Sequence, residues 1–256
     1  KMGKTQSLNC FSHHAPKLDW MEQYFTFKNE FKEKNTLGSQ MFSFFKRFLK
    51  DADLLDDNGF TRFAEIISDI GLDENLSWAL MLANLAYNPQ IGWYICNISF
   101  GETMSKEYVC SMLVDSGADE KWVNDVWSSL ARILDLPFSH VGLGEMVKEK
   151  NKAVALYRTG WQVPDERVIL YSLYQFSEKC GNFKQFTLTR LLDTSIESDG
   201  ISPTQIFGLN RDTMEKVLNG LTFNYPDLIE ARFTLGLDNI TLKSDKSAEE
   251  ILNELF

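Results

Sequence analysis

Apolar residues recur at helical spacing through most of the chain, and Pro, Gly and Asn residues separate the helical segments. The wide apolar faces of several segments favour packing of helix on helix. The pattern predicts helices over residues 16–31, 39–50, 61–70, 76–87, 91–98, 105–114, 119–134, 164–180, 186–192, 205–207 and 210–221.

Strand signals are short and lie between these helices. The turn Asp56-Asp57-Asn58-Gly59 predicts a connection between two short strands, although small helical connectors have the same pattern. Residues 153–158 alternate weakly and predict a short edge strand. In the second half, Ile229, Ala231, Phe233 and Leu235 lie on one face of an amphipathic strand, and residues 238–242 supply its partner across a turn at Gly236.

This order predicts a mainly α protein, a helical bundle with winged-helix-like subdomains and short β-hairpins. A charged run over residues 145–152 suggests a boundary near residue 150. We therefore expect a helical domain over 1–150 containing a winged-helix element, and a winged-helix-like domain over 151–256. The halves share no visible residue-level repeat, and neither shows the alternation of strands and helices typical of a nucleotide-binding sheet.

Charge and composition narrow the functional classes. The 256 residues include 26 Lys and Arg against 36 Asp and Glu, a net charge of −10, which opposes non-specific attraction to phosphate backbones or anionic lipid. No apolar run approaches the roughly 20 residues of a membrane-spanning helix, so no membrane partner is expected. The start Lys1-Met2-Gly3-Lys4 lacks the apolar core of a signal peptide and suggests a piece of a longer protein.

Four isolated cysteines, Cys10, Cys96, Cys110 and Cys180, fit reduced thiols of a cytoplasmic protein better than disulfides. Near the first of them, His13, His14 and Asp19 complete the single cluster of potential metal ligands. Structural zinc needs four closing ligands, so a solvated segment is the preferred interpretation and no metal site is assigned.

Other catalytic signals are weak. His140 lies in a loop without a flanking nucleophile signature, and Gly142-Leu143-Gly144 lacks both the preceding strand and the third glycine of a dinucleotide fingerprint. No phosphate-binding GxxxxGK[ST] motif occurs. No catalytic residue is therefore assigned.

Nucleic-acid binding is the main alternative, because winged helices often use their third helix to contact a groove. In the second half that helix begins at Asn210. The candidate basic strip near it consists of Arg190, Arg211, Lys216 and Arg232. The helix carries mixed charge, so a solvated polar surface is the competing interpretation. In the first half, Lys46, Arg47, Lys50 and Arg62 form a second basic group, for which the polar face of a helix is again the competing interpretation.

Trp161 and Phe183, at loop positions, are candidates to face a partner domain.

Three stretches carry a family resemblance. They are residues 37–55 with the helix that follows over 61–70; residues 76–98, LSWALMLANLAYNPQIGWYICNI; and residues 168–242, which contain ILYSLYQFSEKCG, QFTLTRLLD, GISPTQIFGLNRDTMEKVLNGL and YPDLIEARFTLGLDNITL. Together they resemble the C-terminal extension of bacterial proteins of the phosphoadenosine phosphosulfate (PAPS) reductase family, an ATP-pyrophosphatase-like group with relatives among DNA phosphorothioation enzymes.

In that family the reaction belongs to an upstream α/β domain with a Ser-Gly-Gly-x-Asp-Ser type pyrophosphate loop, often followed by a cysteine-rich iron-sulfur segment. Neither motif occurs here, so no catalytic residue carries over to this chain. The resemblance implies a non-catalytic accessory or interaction domain that needs no cofactor of its own. Its expected partners are the upstream catalytic and iron-sulfur domains of the same polypeptide; the alternative is a winged-helix module that binds DNA or RNA.

Overall fold

The computed structural model describes residues 7–234 and 236–256. The chain divides into two compact units, one ending at Thr159 and the other spanning Gly160–Phe256. Both are mainly helical with small antiparallel sheets, which agrees with the predicted fold class at this level. The division lies later than the predicted boundary near residue 150, because the charged run at that point forms one strand and the turn of a hairpin. Leu235 and residues 1–4, both used in the sequence predictions, lie outside the described residues.

The N-terminal unit contains a series of short helices whose ends follow local capping chemistry. Thr61 accepts a hydrogen bond from Ala64 N at one helix start, and Asn88 accepts from Gln90 N and Ile91 N at another. The helices are α1 (Leu18–Phe27), α2 (Phe31–Lys34), α3 (Ser39–Asp51), α4 (Arg62–Ile70), α5 (Asn75–Leu85), α6 (Pro89–Asn97), α7 (Lys106–Asp115) and α8 (Val123–Leu134).

The strands of this unit are β1 (Leu55–Asp56), β2 (Gly59–Phe60), β3 (Thr103–Ser105), β4 (Glu145–Glu149) and β5 (Lys152–Tyr157). The predicted turn over residues 56–59 joins β1 and β2 in a two-stranded hairpin. The other three strands form an antiparallel sheet in the order β3-β5-β4. The predicted edge strand, now β5, is therefore the middle strand. Its second neighbour, β3, has only three residues, too few for a period of two to be visible.

The core of this unit is aromatic and forms around α5, which is buried along most of its length. Trp78 on that helix meets Phe138 edge to face, with ring centroids 4.9 Å apart. Phe45 and Phe48 of α3 stack in the same core, and Phe48 also contacts Phe138. Many of the aromatic side chains of this unit therefore lie in its core, where they pack the helices together.

A buried arginine follows β5 in the N-terminal unit. Arg158 is 0% exposed, and its guanidinium donates to Ile95 O (2.9 Å), Ile98 O (3.3 Å) and Gly142 O (3.0 Å). The first two oxygens belong to the C-terminal end of α6, where carbonyls lack helical partners. The ring of Phe100 lies 4.0 Å from the guanidinium carbon. The weak glycine motif at 142–144 is therefore part of a structural loop around this side chain.

The C-terminal unit has helices α9 (Glu166–Lys179), α10 (Leu188–Leu192), α11 (Pro203–Phe207), α12 (Arg211–Asn224) and α13 (Ala248–Leu255), and strands β6 (Gln185–Thr187), β7 (Ile229–Thr234) and β8 (Leu237–Leu242). The hairpin predicted over residues 229–242 is confirmed as β7 and β8. The helix predicted over 186–192 is wrong at its start, since Phe186 lies in β6 and pairs with Ile240. A three-residue strand leaves no periodic signal.

The two units share an order of elements that the sequence does not reveal. In each, a helix is followed by a three-residue strand, a helix that begins at the next residue, a further helical part and a hairpin. The further part is α8 with a short 3-10 helix in the N-terminal unit, and α11 with α12 in the C-terminal unit. The last strand residue is also the helix N-cap: Ser105 accepts from Tyr108 N, and Thr187 accepts from Arg190 N. The sheet orders correspond as well, β3-β5-β4 in one unit and β6-β8-β7 in the other.

No helix in the described part of the chain has both the length and the apolar character needed to cross a lipid bilayer.

Candidate functional site

The predicted basic strip lies where α12, α10 and the β7–β8 hairpin of the C-terminal unit meet. Asp238 Oδ2, on β8, accepts hydrogen bonds from Thr189 N (2.8 Å) and Thr189 Oγ1 (2.6 Å) on α10. Arg211, the first residue of α12, donates from Nη2 to Thr189 Oγ1 (2.9 Å), and the same nitrogen lies 3.5 Å from Asp238 Oδ2. These three side chains connect the hairpin to both helices.

Arg211 is consequently neutralised at the site where it was predicted to contact phosphate. Besides Asp238, it pairs with Glu215 one helical turn further along α12, with Nη1 3.4 Å from Oε1. Burial acts to raise the pKa of the Asp238 carboxyl, but the two hydrogen bonds from Thr189 and the nearby Arg211 charge outweigh it, and the pKa lies below its ordinary value. The arrangement positions the hairpin rather than offering a free cation.

Replacing Asp238 with alanine is expected to lower the unfolding free energy of the C-terminal unit by about 1 kcal/mol at neutral pH, because Thr189 loses its acceptor. Since the folded-state pKa is depressed, the stabilisation from Asp238 is complete above the ordinary carboxyl pKa and is lost as the pH falls through the folded value. Urea unfolding of wild type and Asp238→Ala from neutral to acid pH measures both effects. Asp227→Ala, at an exposed carboxylate of the same unit, is the control; equal losses in both variants would contradict the network.

The other three predicted residues do not form one cluster of free cations. Arg232 on β7 pairs with Glu230, with Nη2 3.0 Å from Oε1. Lys216 is exposed on α12. Arg190 lines a separate groove together with residues of β6. The C-terminal unit as a whole carries 9 Lys and Arg against 15 Asp and Glu.

The groove beside Arg190 has a volume of about 870 Å³ and lies between the end of α9, the following loop and β6. Phe176 and Phe186 meet edge to face on its apolar side, with centroids 5.6 Å apart. Phe183 stands at its edge and is 70% exposed. Lys179 and Arg190 share the lining with Glu178 and Asp199, so the groove combines apolar surface with charges of both signs.

The two loop aromatics predicted to face a partner, Trp161 and Phe183, differ in exposure. Trp161 is buried against Phe207, with ring centroids 5.4 Å apart, and its backbone N donates to Phe207 O (2.7 Å). That prediction is therefore wrong for Trp161, which fills a core position. Phe183 is exposed, as the prediction requires.

The N-terminal histidine and cysteine cluster is not assembled as a coordination site. Cys10 is buried, and burial raises the pKa of its thiol, so the thiol form prevails at neutral pH. His13 and His14 stack on each other, and His14 also packs on Phe44 of α3. Within residues 7–234 and 236–256, no group of three or more His, Cys, Asp or Glu side chains is placed to hold a metal. His140 contacts Asn75, with Nδ1 3.2 Å from Oδ1.

Sequence reasoning missed two features. Asp238 and Thr189 were not recognised as partners of Arg211, since 49 residues separate them and only the register of β6 with β8 brings them together. The charged run was treated as a boundary, yet it is an exposed hairpin carrying Lys148, Lys150 and Lys152. The positive φ of Lys150 and Asn151 marks its turn, and alternation of lysines around an Asn is the signal that was available.

Comparisons of this chain with protein-family models, with curated proteins and with solved structures found no match.

Proposed function

We propose that this protein is a non-catalytic interaction module built from two winged-helix domains, acting as an accessory to a PAPS-reductase-like enzyme. The shared order of elements supports the winged-helix part. A short strand between the first two helices, paired with the second strand of a C-terminal hairpin, is the arrangement of that motif, and it occurs once in each unit. The partner class comes from the sequence resemblance.

One observation carries the interaction role: two of the three basic side chains of α12 and its hairpin, Arg211 and Arg232, are already paired with carboxylates. Arg211 is held by Asp238 and Glu215, and Arg232 is held by Glu230. A groove-contacting helix needs cations that can replace counterions on phosphate. In contrast, Phe183 and Phe223 are exposed apolar side chains of the same unit, 70% and 85% accessible, which favours contact with protein.

The test is a binding experiment with two kinds of partner. We expect this chain to bind, in analytical ultracentrifugation, the catalytic and iron-sulfur domains that the resemblance implies for the same polypeptide, produced as a separate protein. Phe183→Ser with Phe223→Ser is expected to weaken that complex at least tenfold. Lys184→Ser with Thr222→Ser, which alters the neighbouring positions but keeps both exposed phenylalanine rings, is the matched control. No complex at about 100 μM of each protein, a concentration sufficient for a weak specific interface, would overturn the accessory role.

Nucleic-acid binding remains a second candidate because of one specific feature, the β4–β5 hairpin of the N-terminal unit. Its residues 147–152 are all exposed, and they include Lys148, Lys150 and Lys152. Lys148 Nζ pairs with Asp135 (2.6 Å), while the other two extend from the turn. In a winged helix this hairpin is the wing, which commonly runs along a phosphate backbone.

Fluorescence anisotropy with labelled duplex and single-stranded DNA and RNA, between about 50 and 200 mM salt, separates the two candidates. Under the interaction proposal we expect a flat titration at the upper end of this range. Salt-dependent binding that weakens in Lys150→Ala with Lys152→Ala, but not in Lys106→Ala with Lys121→Ala, would move the assignment to a nucleic-acid module acting through the hairpin. Weakening by Arg211→Ala or Lys216→Ala would instead place the contact on α12.

A further inference from the structure

A separate pocket of about 320 Å³ opens in the N-terminal unit, between α1, the turn after it, α3 and the β1–β2 hairpin. Its apolar lining consists of Tyr24, Phe31, Phe42, Leu49 and Leu55. Tyr24 donates from its hydroxyl to Leu54 O (2.6 Å) and meets Phe31 edge to face, so the floor is held by packing and by a buried hydrogen bond. Such a volume lies within the range of small-molecule sites.

Four lysines surround this pocket: Lys28, Lys32, Lys46 and Lys50. The first two come from the turn after α1 and from α2, and the other two lie one helical turn apart on α3. Their convergence runs against the composition of a chain with net charge −10. Asp56 and Asp57 are the carboxylates among the described lining residues, so positive charge prevails around the opening.

The pocket already stabilises one anion, the carboxylate of Asp57 on the hairpin turn. Lys50 Nζ lies 2.7 Å from Asp57 Oδ1. That hydrogen bond, together with the Lys50 charge and, more weakly, Lys46, lowers the pKa of the Asp57 carboxyl. On the other side, no carboxylate oxygen within the described residues pairs with Lys28 or Lys32, and Lys28 Nζ instead lies 5.5 Å from the centre of the Phe60 ring.

The turn that carries Lys28 is fixed against the hairpin. Lys28 adopts φ 49° and ψ −121°, a conformation that residues with a side chain rarely adopt. The next residue, Asn29, accepts a hydrogen bond from Phe60 N at Oδ1 (2.7 Å). Gly59 allows this approach, because a Cβ there would overlap Asn29 Oδ1. The backbone of this turn is therefore held against the hairpin.

We propose that this pocket binds a small organic phosphate. The apolar floor covers the organic part of the ligand, and the lysines of both sides contact the phosphate oxygens. Lysine binds phosphate as a compact charge with three donors. Asp57 already pairs with Lys50, whereas Lys28 and Lys32 have no carboxylate partner among the described residues and are favoured by an anion at the opening. The proposal is independent of the winged-helix function, since none of these residues belongs to α6, the three-stranded sheet, α7 or α8.

Isothermal titration calorimetry of the full chain with ADP, pyrophosphate and adenosine tests the proposal. We expect ADP to bind most tightly, pyrophosphate to bind more weakly, and adenosine to give no signal. Lys32→Ala with Lys46→Ala is expected to weaken the affinity for ADP at least tenfold. Lys17→Ala with Lys121→Ala, which removes the same charge from exposed lysines elsewhere in this unit, is expected to leave the affinity unchanged. Phe42→Ala tests the apolar floor separately from the lysines, because it is expected to weaken the binding of ADP but not that of pyrophosphate.

Two results would overturn this site. One is the absence of heat with ADP and pyrophosphate up to about 10 mM, well above the dissociation constant of a specific phosphate pocket. The other is equal loss of affinity in the two double variants, which would show a response to net charge alone. In the first of these cases, binding of a short single-stranded oligonucleotide would identify a nucleic-acid surface in place of a small-molecule pocket.

Discussion

Replacing Arg158 with methionine is expected to lower the unfolding free energy of the N-terminal unit by about 3–5 kcal/mol. Methionine has similar length but no donor, so Ile95 O, Ile98 O and Gly142 O lose the bonds made by the guanidinium. When only the donor is removed from a buried bond, the remaining carbonyls stay desolvated and unsatisfied. The loss of the cation also removes favourable charge from the end of α6.

The charge on this side chain persists despite its burial. Burial lowers the pKa of the Arg158 guanidinium to about 10, which leaves it protonated at neutral pH. Lysine in its place offers one compact charge instead of a planar fork, so Arg158→Lys is expected to recover only part of the lost stability. The pair of variants therefore separates the role of the charge from that of the fork geometry.

Hydrogen exchange measures this effect unit by unit. Amides of α6 and β5 should lose protection in Arg158→Met, while those of α9 and α12 keep theirs. Arg62→Met is the control, because its exposed pair with Glu65 contributes less than about 1 kcal/mol. An Arg158→Met protein whose α6 amides keep wild-type protection would show that the buried guanidinium does not hold the end of this helix.

The second large effect is expected at Gly160, the first residue of the C-terminal unit. A Cβ at this position would overlap Gly208 O, which follows α11, while Trp161 N donates to Phe207 O nearby (2.7 Å). Gly208 O belongs to the backbone and cannot rotate away as a side chain could. The segment 160–161 must therefore move away from α11, which weakens the packing of Trp161 on Phe207. Gly160→Ala should cost about 3 kcal/mol, at the upper end of typical overpacking.

Gly220→Ala is the matched control for this prediction. It lies in the middle of α12 of the same unit, where alanine is favoured over glycine by about 1 kcal/mol, and the nearest obstacle is the flexible carboxylate end of Glu166. We expect Gly220→Ala to be neutral or stabilising in urea unfolding, and Gly160→Ala to lower the midpoint clearly. Similar midpoints in both variants would mean that the close approach to Gly208 relaxes without cost.

Local signals explain why much of the helical pattern was predictable. Thr61 and Gly71 bound α4 as caps, Asn88-Pro89 separates α5 from α6, and Asn210 starts α12. The hairpin over 229–242 followed from a period of two interrupted at Gly236. Each of these signals depends on neighbouring residues in the chain, so no knowledge of distant contacts was needed.

The three-residue strands and the candidate site did not follow from such signals. Strand β3 was missed and β6 was assigned to a helix, because pairing with a distant strand, and not local periodicity, makes them strands. For the same reason β5 was placed at an edge. For Arg211 the sequence leaves two interpretations, a cation that contacts phosphate and part of a solvated mixed-charge surface, and in the folded unit Asp238 and Glu215 pair with it.

The mainly helical class, most helix limits, two of the three hairpin turns and the acidic charge balance could be predicted from the sequence, because they depend on residue type and short-range spacing. Three features are visible only in the folded protein: the common strand order of the two units, the burial of Arg158 at the end of α6, and the four lysines that line one pocket. Those features join residues far apart in the chain. Their positions follow from packing and strand register, which short-range patterns do not encode.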